Sequence, residues 1–142
     1  MKSTVTWRSD VIFDATTETG HQITMDGPPD HGGLNTGARP MEVLLTGVGG
    51  CASFDVVTIL KRSRQAVNAV RCELEAQRAD TVPAVFTKIN LHFVVSGDDL
   101  SEKQVARACE LSATKYCSAT KMLGDGGVEI THSYVIESLK LV

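Results

Sequence analysis

Residues 40–62 of this chain read PMEVLLTGVGGCASFDVVTILKR. Apolar residues recur in this stretch at three- and four-residue spacing, which predicts a helix. Pro40 suits the first turn because its missing N–H needs no partner there. The sequence therefore predicts one helix from Pro40 to about Arg62. Few polar residues precede Lys61, so we expect this helix to be buried on most sides.

Three glycines, at positions 47, 49 and 50, interrupt the helix just before Cys51. Each glycine lowers helix stability by roughly 1 kcal/mol relative to alanine. Close approach of another element is the usual reason for accepting such a cost. If that element carries Cys117, the two sulfurs meet as a compact redox pair. The alternative from spacing alone is that Cys51 and Cys117 are ordinary core cysteines.

Outside this helix, the chain contains short segments in which apolar and polar residues alternate, and one further helical segment. Strands are predicted at 3–8, 11–15, 21–26, 70–77, 88–95 and 128–136. Four glycines and three prolines over 27–40 predict a long loop. Ser101-Glu102-Lys103-Gln104 is a capping box that begins a second helix, predicted to continue to about Leu123. The order of elements predicts an α+β fold in a single domain, 1–142.

Composition excludes several classes of function. A formal net charge of −3 gives no electrostatic reason to expect a nucleic-acid partner. The sequence predicts no membrane span, because no apolar run reaches the required length. The N-terminus has no secretory pattern, so a reducing cytoplasm is the expected compartment. Four cysteines there favour metal or redox chemistry over a disulfide scaffold.

Metal binding is weakly supported by the spacing of the possible ligands. Structural zinc sites usually contain Cys-x2–4-Cys pairs or a matched histidine pair. The cysteines at 51, 72, 109 and 117 and the histidines at 21, 31, 92 and 132 have no such spacing. The sequence therefore predicts neither a metal nor a cofactor.

Helix geometry limits which cysteines can pair. Cys109 and Cys117 are about 12 Å apart along one continuous helix, too far for a disulfide unless the helix breaks. Cys72 and Cys109 lie on apolar faces and are interpreted as small buried hydrophobic residues. The pair of Cys51 and Cys117 remains, on two different helices. A thiolate in such a pair attacks a peroxide and forms a sulfenic acid, which the second thiol converts to a disulfide.

Segments spread over nearly the whole chain share one family pattern. They are GHQ at 20–22, MDG at 25–27, RPMEVLL at 39–45, GGC at 49–51, DVV at 55–57, YCS at 116–118 and ITHSY at 130–134. As a set they resemble the OsmC/Ohr family, and within it the YhfA-type branch. The resemblance implies an intertwined homodimer in which antiparallel β-sheet wraps two central helices. It also implies that Cys51 attacks a small organic hydroperoxide, that Cys117 resolves, and that a dithiol reductant recycles both.

Two positions depart from the pattern of the family's peroxidases. Those proteins carry an acid directly after the helix-opening proline, whereas here Met41 follows it and Glu42 comes one position later. Nine residues separate Glu42 from Cys51, which is about 180° around a straight helix. Glu42 therefore takes the family's catalytic role only if the first turn is irregular or if it acts across the dimer.

The second departure is the absence of the family's catalytic arginine from the N-terminal loop. Arg39 or Arg8 would have to substitute for it, or His21 would supply the positive charge. His132 lies on an apolar strand face, where a hydrogen-bonded core or interface histidine is expected. Asp55 follows Cys51 by one turn, and an unpaired carboxylate there would raise the pKa of the thiol.

These observations predict a thiol-dependent peroxidase that acts in oxidative-stress defence, with Cys51, Cys117 and Glu42 as catalytic residues. Arg39, His21 and His132 are the possible supporting residues. The alternative is a non-catalytic protein that binds a small apolar ligand at the dimer interface. A redox sensor, whose oxidation changes a partner surface, is the third hypothesis.

Overall fold

A computed structural model describes residues 1–138 of the chain. The fold is α+β, as predicted, and the chain divides into two compact units. The N-terminal unit is Met1–Thr46, and the C-terminal unit begins at Gly47. The prediction that residues 1–142 form one domain stays a prediction.

The N-terminal unit contains an antiparallel sheet of three strands. These are β1 (Ser3–Ser9), β2 (Ile12–Thr17) and β3 (Gln22–Asp26), in the order β1-β2-β3. The predicted strands are confirmed, with ends that differ by one or two residues. Ile12 and Ala15 of β2 are buried.

The predicted loop over 27–40 is organised by one buried carboxylate. Oδ1 of Asp26 accepts a hydrogen bond from the backbone of Gly27 at 2.8 Å. Its Oδ2 accepts from the backbone of Leu34 at 3.0 Å and from Thr36 through the backbone N–H and the hydroxyl. The Thr36 hydroxyl is the largest of the contributions that hold the pKa of Asp26 below its usual value. A single side chain therefore fixes the path of a long loop.

Helix α1 (Pro40–Arg62) has the predicted ends and is helical from its first residue. It is not buried on most sides. Its buried residues form one stripe: Val48, Gly49, Ala52, Val56 and Leu60. Phe54, on another side, is 71% exposed. The prediction that no apolar run reaches the length of a membrane span is wrong, because α1 is long and apolar enough by length and composition alone, as the core helix of a soluble protein also is.

The C-terminal unit contains a second sheet of three strands. These are β4 (Ala66–Arg78), β5 (Phe86–Asp98) and β6 (Glu129–Glu137), in the order β4-β5-β6. Strands β4 and β5 are antiparallel, whereas β5 and β6 are parallel, so this sheet is mixed rather than antiparallel throughout. The central strand β5 supplies more core residues than any other element, and its Ile89, Leu91, Phe93 and Val95 are fully buried.

The close approach predicted for the glycines of α1 is present at Gly49, but the approaching element is not the one that carries Cys117. A Cβ added at Gly49 would lie 2.6 Å from Cδ1 of Leu74, so α1 approaches β4 closely at this position. Cβ atoms added at Gly47 and Gly50 would meet nothing within 4 Å. The close neighbour of the helix at Gly49 is therefore a strand, and it does not carry Cys117.

The second helical stretch is broken, so the prediction of one helix to about Leu123 is wrong. It consists of α2 (Glu102–Leu111), a π-helical turn (Ser112–Tyr116) and α3 (Ser118–Asp125). The predicted start is confirmed, because Ser101 is the N-cap of α2 and its side chain accepts a hydrogen bond from the Gln104 backbone. Single π-helical turns are rare and occur frequently at functional sites.

Candidate active site

Three side chains of the C-terminal unit meet between α1 and the start of α3. The Sγ atoms of Cys51 and Cys117 and a carboxylate oxygen of Asp55 all lie within 4.8 Å of one another. We call these three residues the cysteine–aspartate cluster. Cys51 and Asp55 are four residues apart in α1 and therefore share one face of the helix. The structure thus brings together the two cysteines that the sequence paired.

The break in the second helical stretch positions Cys117. The hydroxyl of Ser112, at the start of the π-helical turn, donates a buried hydrogen bond of 2.7 Å to the carbonyl of Ala52 in α1. This bond joins the turn to α1 one residue after Cys51. Cys117 then adopts an extended conformation and is the N-cap of α3. Its Sγ accepts a hydrogen bond from the backbone N–H of Thr120 at 3.5 Å.

The two sulfurs differ in their exposure. Cys51 is half-buried, whereas Cys117 is fully buried. Burial is the largest cause that raises the pKa of the Cys117 thiol, and the neighbouring Cys51 thiol raises it further. The Thr120 backbone N–H acts in the opposite direction. A molecule in solvent therefore reaches Cys51 more readily than Cys117.

Asp55 has an unusual environment for a carboxylate. Its Oδ2 atom is buried and has no hydrogen-bond partner among residues 1–138. Burial raises the pKa of this carboxyl group above its usual value, because it disfavours the charged form. Buried polar atoms in folded proteins are nearly always hydrogen-bonded, so an unsatisfied one calls for an explanation.

The other two cysteines lie outside the cluster. Burial raises the pKa of Cys72 to about 11 and that of Cys109 to about 12. Thiols with such values hold their protons at neutral pH and are poor nucleophiles. Cys109 is fully buried and Cys72 is half-buried in β4, in agreement with the prediction that both are packing residues.

A groove of about 570 Å³ opens beside Asp55 in the C-terminal unit. Its lining combines apolar and polar side chains: Phe54, Ile59, Leu111 and Tyr116, with Asp55, Thr58, Arg62, Ser63, Gln104 and Arg107. We call it the arginine groove. Neither Arg62 nor Arg107 forms an ion pair within the part of the chain that the structure describes. The groove therefore offers an apolar surface and two free positive charges.

Three of the predicted site residues, Glu42, Arg39 and His21, lie in the N-terminal unit. Glu42 is exposed, and the first turn of α1 is regular, so an irregular turn does not reorient this side chain. Nδ1 of His21 is 3.0 Å from the Thr19 hydroxyl oxygen. Arg8, considered as a substitute for the family's arginine, forms an ion pair with Asp14 instead.

His132, the remaining supporting candidate, lies in β6. It is half-buried, opposite Leu91 of β5, and it lines a shallow groove with Glu102 and Tyr134. It is not a member of the cysteine–aspartate cluster. Its expected role as a core or interface histidine remains a prediction.

Sequence reasoning missed the two arginines of the groove. A signal for Arg62 was present, because it lies eleven residues after Cys51, which is about 20° away around the helix. Cys51, Asp55 and Arg62 therefore share one stripe of α1. Arg107 comes from α2, and nothing in its local sequence indicates that it faces this groove.

Comparisons with known proteins agree with this architecture. The family model described as "OsmC-like protein" matches residues 31–133. Protein YhfA of Escherichia coli K12 is 44% identical over an alignment of 139 residues, and the alignment covers 96% of this chain and 98% of that protein. A hypothetical protein from Aquifex aeolicus VF5 has a solved structure with a TM-score of 0.82 and 30% identity, covering 98% of this chain and 97% of its own.

A more distant structure shares the fold alone. It is an organic hydroperoxide resistance protein from Elizabethkingia anophelis, 14% identical, with a TM-score of 0.73 and coverage of 95% of this chain and 94% of its own. The family match and the identity to YhfA extend over both cysteines of the cluster. This chain belongs to the OsmC-like family.

Proposed function

We propose that this chain is a thiol-dependent peroxidase that reduces small organic hydroperoxides in oxidative-stress defence. The observation that carries the proposal is the approach of the Cys51 and Cys117 sulfurs within 4.8 Å, from two separate elements. Membership of a family that includes organic hydroperoxide resistance proteins supports it.

The difference in exposure supports the two roles that the resemblance implies. Cys51 is accessible enough to attack, and its thiolate takes the distal oxygen of ROOH to form a sulfenic acid while the O–O bond breaks. The departing RO⁻ takes a proton and leaves as ROH. The buried Cys117 thiol then attacks the sulfenic sulfur, forms the disulfide and releases water. An external dithiol supplies two electrons by exchange and restores both thiols.

The arginine groove favours an organic substrate over hydrogen peroxide. Its apolar residues, including Phe54 and Tyr116, provide a surface for the R group beside the cluster. Glu42 remains the proposed catalytic acid, acting across a dimer because the first turn of α1 is regular. Arg39, His21 and His132 remain the proposed supporting residues.

The proposed assembly is a homodimer in a reducing cytoplasm. The support for a dimer is the exposed apolar side of α1, where Phe54 is 71% exposed and Gly47 and Gly50 have free space above them. Contiguous apolar surface of this kind marks protein interfaces. The reducing compartment is carried over from the sequence-based expectation for a chain with four cysteines and no secretory pattern. The proposed partners include neither a nucleic acid nor a membrane.

The test is the consumption of cumene hydroperoxide by the reduced protein with dihydrolipoamide as reductant. We expect turnover in the wild type, none in Cys51→Ser, and a single unrecycled oxidation in Cys117→Ser. The matched control is Cys72→Ser, which removes a thiol outside the cluster and should leave turnover unchanged. Absence of turnover in the wild type, with both thiols intact after peroxide treatment, would contradict the proposal.

The second candidate function is binding of a small apolar ligand without turnover. The arginine groove favours it, because its lining combines an apolar surface, which includes Phe54 and Leu111, with polar side chains that can orient a ligand. A wild type that keeps its thiols after peroxide treatment but is heat-stabilised by such a ligand would support binding instead.

A further inference from the structure

We propose that the reduced cysteine–aspartate cluster binds one zinc ion, with Cys51, Asp55 and Cys117 as protein ligands. The proposal does not require peroxidase activity, because it concerns the affinity of the thiol form for a metal.

The first argument is the distance between the ligand atoms. Two sulfurs on a tetrahedral zinc ion lie about 3.8 Å apart, since each Zn–S bond is about 2.3 Å long. The three ligand atoms of the cluster already lie within 4.8 Å of one another. Rotation of the side chains by small amounts is therefore enough to close the site.

The second argument is the backbone that holds the ligands. Cys51 and Asp55 occupy successive turns on one face of α1, the spacing at which helical side chains share a ligand. Cys117 comes from the N-cap of α3, and the hydrogen bond from Ser112 to Ala52 ties that end of the chain to α1. The site thus forms from two elements that are fixed to each other before a metal arrives.

The third argument is the unsatisfied oxygen of Asp55. Its Oδ2 atom is buried without a hydrogen-bond donor among residues 1–138, which is unfavourable unless a donor, a proton or a cation completes its environment. A metal ion between the carboxylate and the two sulfurs supplies that positive charge. This feature is independent of the cysteine geometry, and it points to a cation in the same place.

The ligand set selects the metal. Thiolates are soft ligands that favour zinc over magnesium or calcium, which prefer oxygen ligands only. Three protein ligands leave a fourth position for water, which is the arrangement of open zinc sites. Two thiolates and a carboxylate exceed the charge of Zn²⁺ by one, and Arg62 and Arg107 line the groove beside Asp55. These arginines offset the extra negative charge.

Zinc binding and oxidation of the pair exclude each other. Coordination by Cys51 and Cys117 displaces one proton from each thiol. Oxidation by a hydroperoxide moves two electrons from the two thiolates to ROOH and leaves a disulfide. The reaction takes up two protons and gives ROH and water. A disulfide no longer provides two thiolate ligands, so the zinc ion is released. Bound zinc would therefore protect the reduced thiols.

The experiment is a titration of the chelator-treated, reduced full-length protein with zinc in competition with a chromophoric chelator. We expect one zinc ion per chain in the wild type, and affinity lower by roughly a hundredfold in Cys51→Ser and Cys117→Ser. Asp55→Asn, which keeps the shape but loses the charge, should weaken binding by about tenfold. The control Cys72→Ala removes a thiol outside the cluster and should bind like the wild type.

Cobalt provides a readout that does not depend on variants. With Co²⁺ in place of zinc, the wild type should give thiolate-to-cobalt charge-transfer bands of an intensity that matches two sulfurs, with the strong d–d bands of tetrahedral coordination. A wild type that binds no zinc, or binds it equally after Cys51→Ser and Cys117→Ser, would overturn the proposal. Six-coordinate cobalt without charge-transfer bands would overturn it as well. None of these measurements uses peroxide, so they are separate from the test of peroxidase activity.

Discussion

Two carboxylates of this protein have opposite hydrogen-bond environments. Asp26, in the N-terminal unit, is buried and accepts four hydrogen bonds from Gly27, Leu34 and Thr36. The Oδ2 atom of Asp55, in the C-terminal unit, is also buried but has no partner among the described residues. The pKa is lowered for Asp26 by its donors and raised for Asp55 by burial.

The two carboxylates therefore differ in what they contribute to the fold. Asp26 satisfies the backbone of a long loop, and its hydrogen bonds stabilise the folded state directly. The Oδ2 atom of Asp55 receives no such hydrogen bond from residues 1–138. A buried polar atom without a partner calls for an explanation, and the zinc ion proposed above provides one. Substitutions and changes of pH that affect one of these carboxylates more than the other test this contrast.

Removal of the Asp26 carboxylate should have the largest effect on stability. In Asp26→Ala four hydrogen bonds are lost, and the donors from Gly27, Leu34 and Thr36 are left without acceptors. We expect the melting temperature to fall by more than about 5 °C, with faster proteolysis within residues 27–40. Thermal unfolding and timed proteolysis measure both. The control is Asp30→Ala, because Asp30 is an exposed carboxylate of the same loop whose loss should change little.

An unchanged melting temperature in Asp26→Ala would show that the loop does not depend on this carboxylate. Asp26 and Asp55 would then differ in their hydrogen bonds but not in their contribution to stability.

The position of the cysteine–aspartate cluster should depend on Ser112 rather than on Asp55. Ser112→Ala removes the buried side-chain hydrogen bond to the carbonyl of Ala52, which keeps its backbone partner within α1, so we expect a loss of about 0.5–1.5 kcal/mol. Chemical denaturation measures this loss, and we also expect the Cys51–Cys117 disulfide to form more slowly. Thr114→Ala is the matched control, because its hydroxyl donates a bond of the same 2.7 Å length, but on the exposed side of the same turn.

If Ser112→Ala and Thr114→Ala had equal effects, the tertiary bond to α1 would not be what holds the turn in place. The hydrogen bond from Ser112 would then not be what fixes the cluster before a ligand arrives.

Much of the fold was predictable because local patterns determine it. Alternating residues predicted all six strands, and the Ser101 capping box predicted the start of α2. The ends of α1 followed from Pro40 and the apolar spacing up to Arg62. In each case the signal lies within a few residues of the element, so no long-range contact was needed to find it.

The parts that the sequence did not predict depend on contacts between distant residues. The π-helical turn over Ser112–Tyr116 breaks a stretch whose local pattern is helical, and its buried hydrogen bond reaches Ala52, sixty residues away. The close approach at Gly49 was expected, but its partner Leu74 was not. The spacing of Cys51 and Cys117 in the sequence does not indicate a zinc site, whereas the fold brings both sulfurs close to a carboxylate oxygen of Asp55.

Acid should weaken the structure through Asp26. A carboxyl group with a lowered pKa in the folded state contributes stability above its unfolded pKa, and that contribution is lost as the pH falls through the folded value. We therefore expect the melting temperature of the wild type to fall as the pH decreases below about 4. In Asp26→Asn the slope of this decrease should be smaller. Melting curves across acidic pH, compared between the two proteins, measure the difference, and parallel curves would contradict the assignment.

The smallest effect should come from Asp55→Asn in the absence of metal. The substitution removes no hydrogen bond from Oδ2, and it replaces a group whose charge is disfavoured by burial with a neutral one of the same shape. We expect the free energy of unfolding in the presence of a chelator to fall by no more than about 0.5 kcal/mol, or to rise. Added zinc should then raise the melting temperature of the wild type more than that of Asp55→Asn, because binding to the folded state alone stabilises it in proportion to affinity. A large loss of stability in the chelated variant would mean that Asp55 has a partner within the folded chain, and the contrast with Asp26 would disappear.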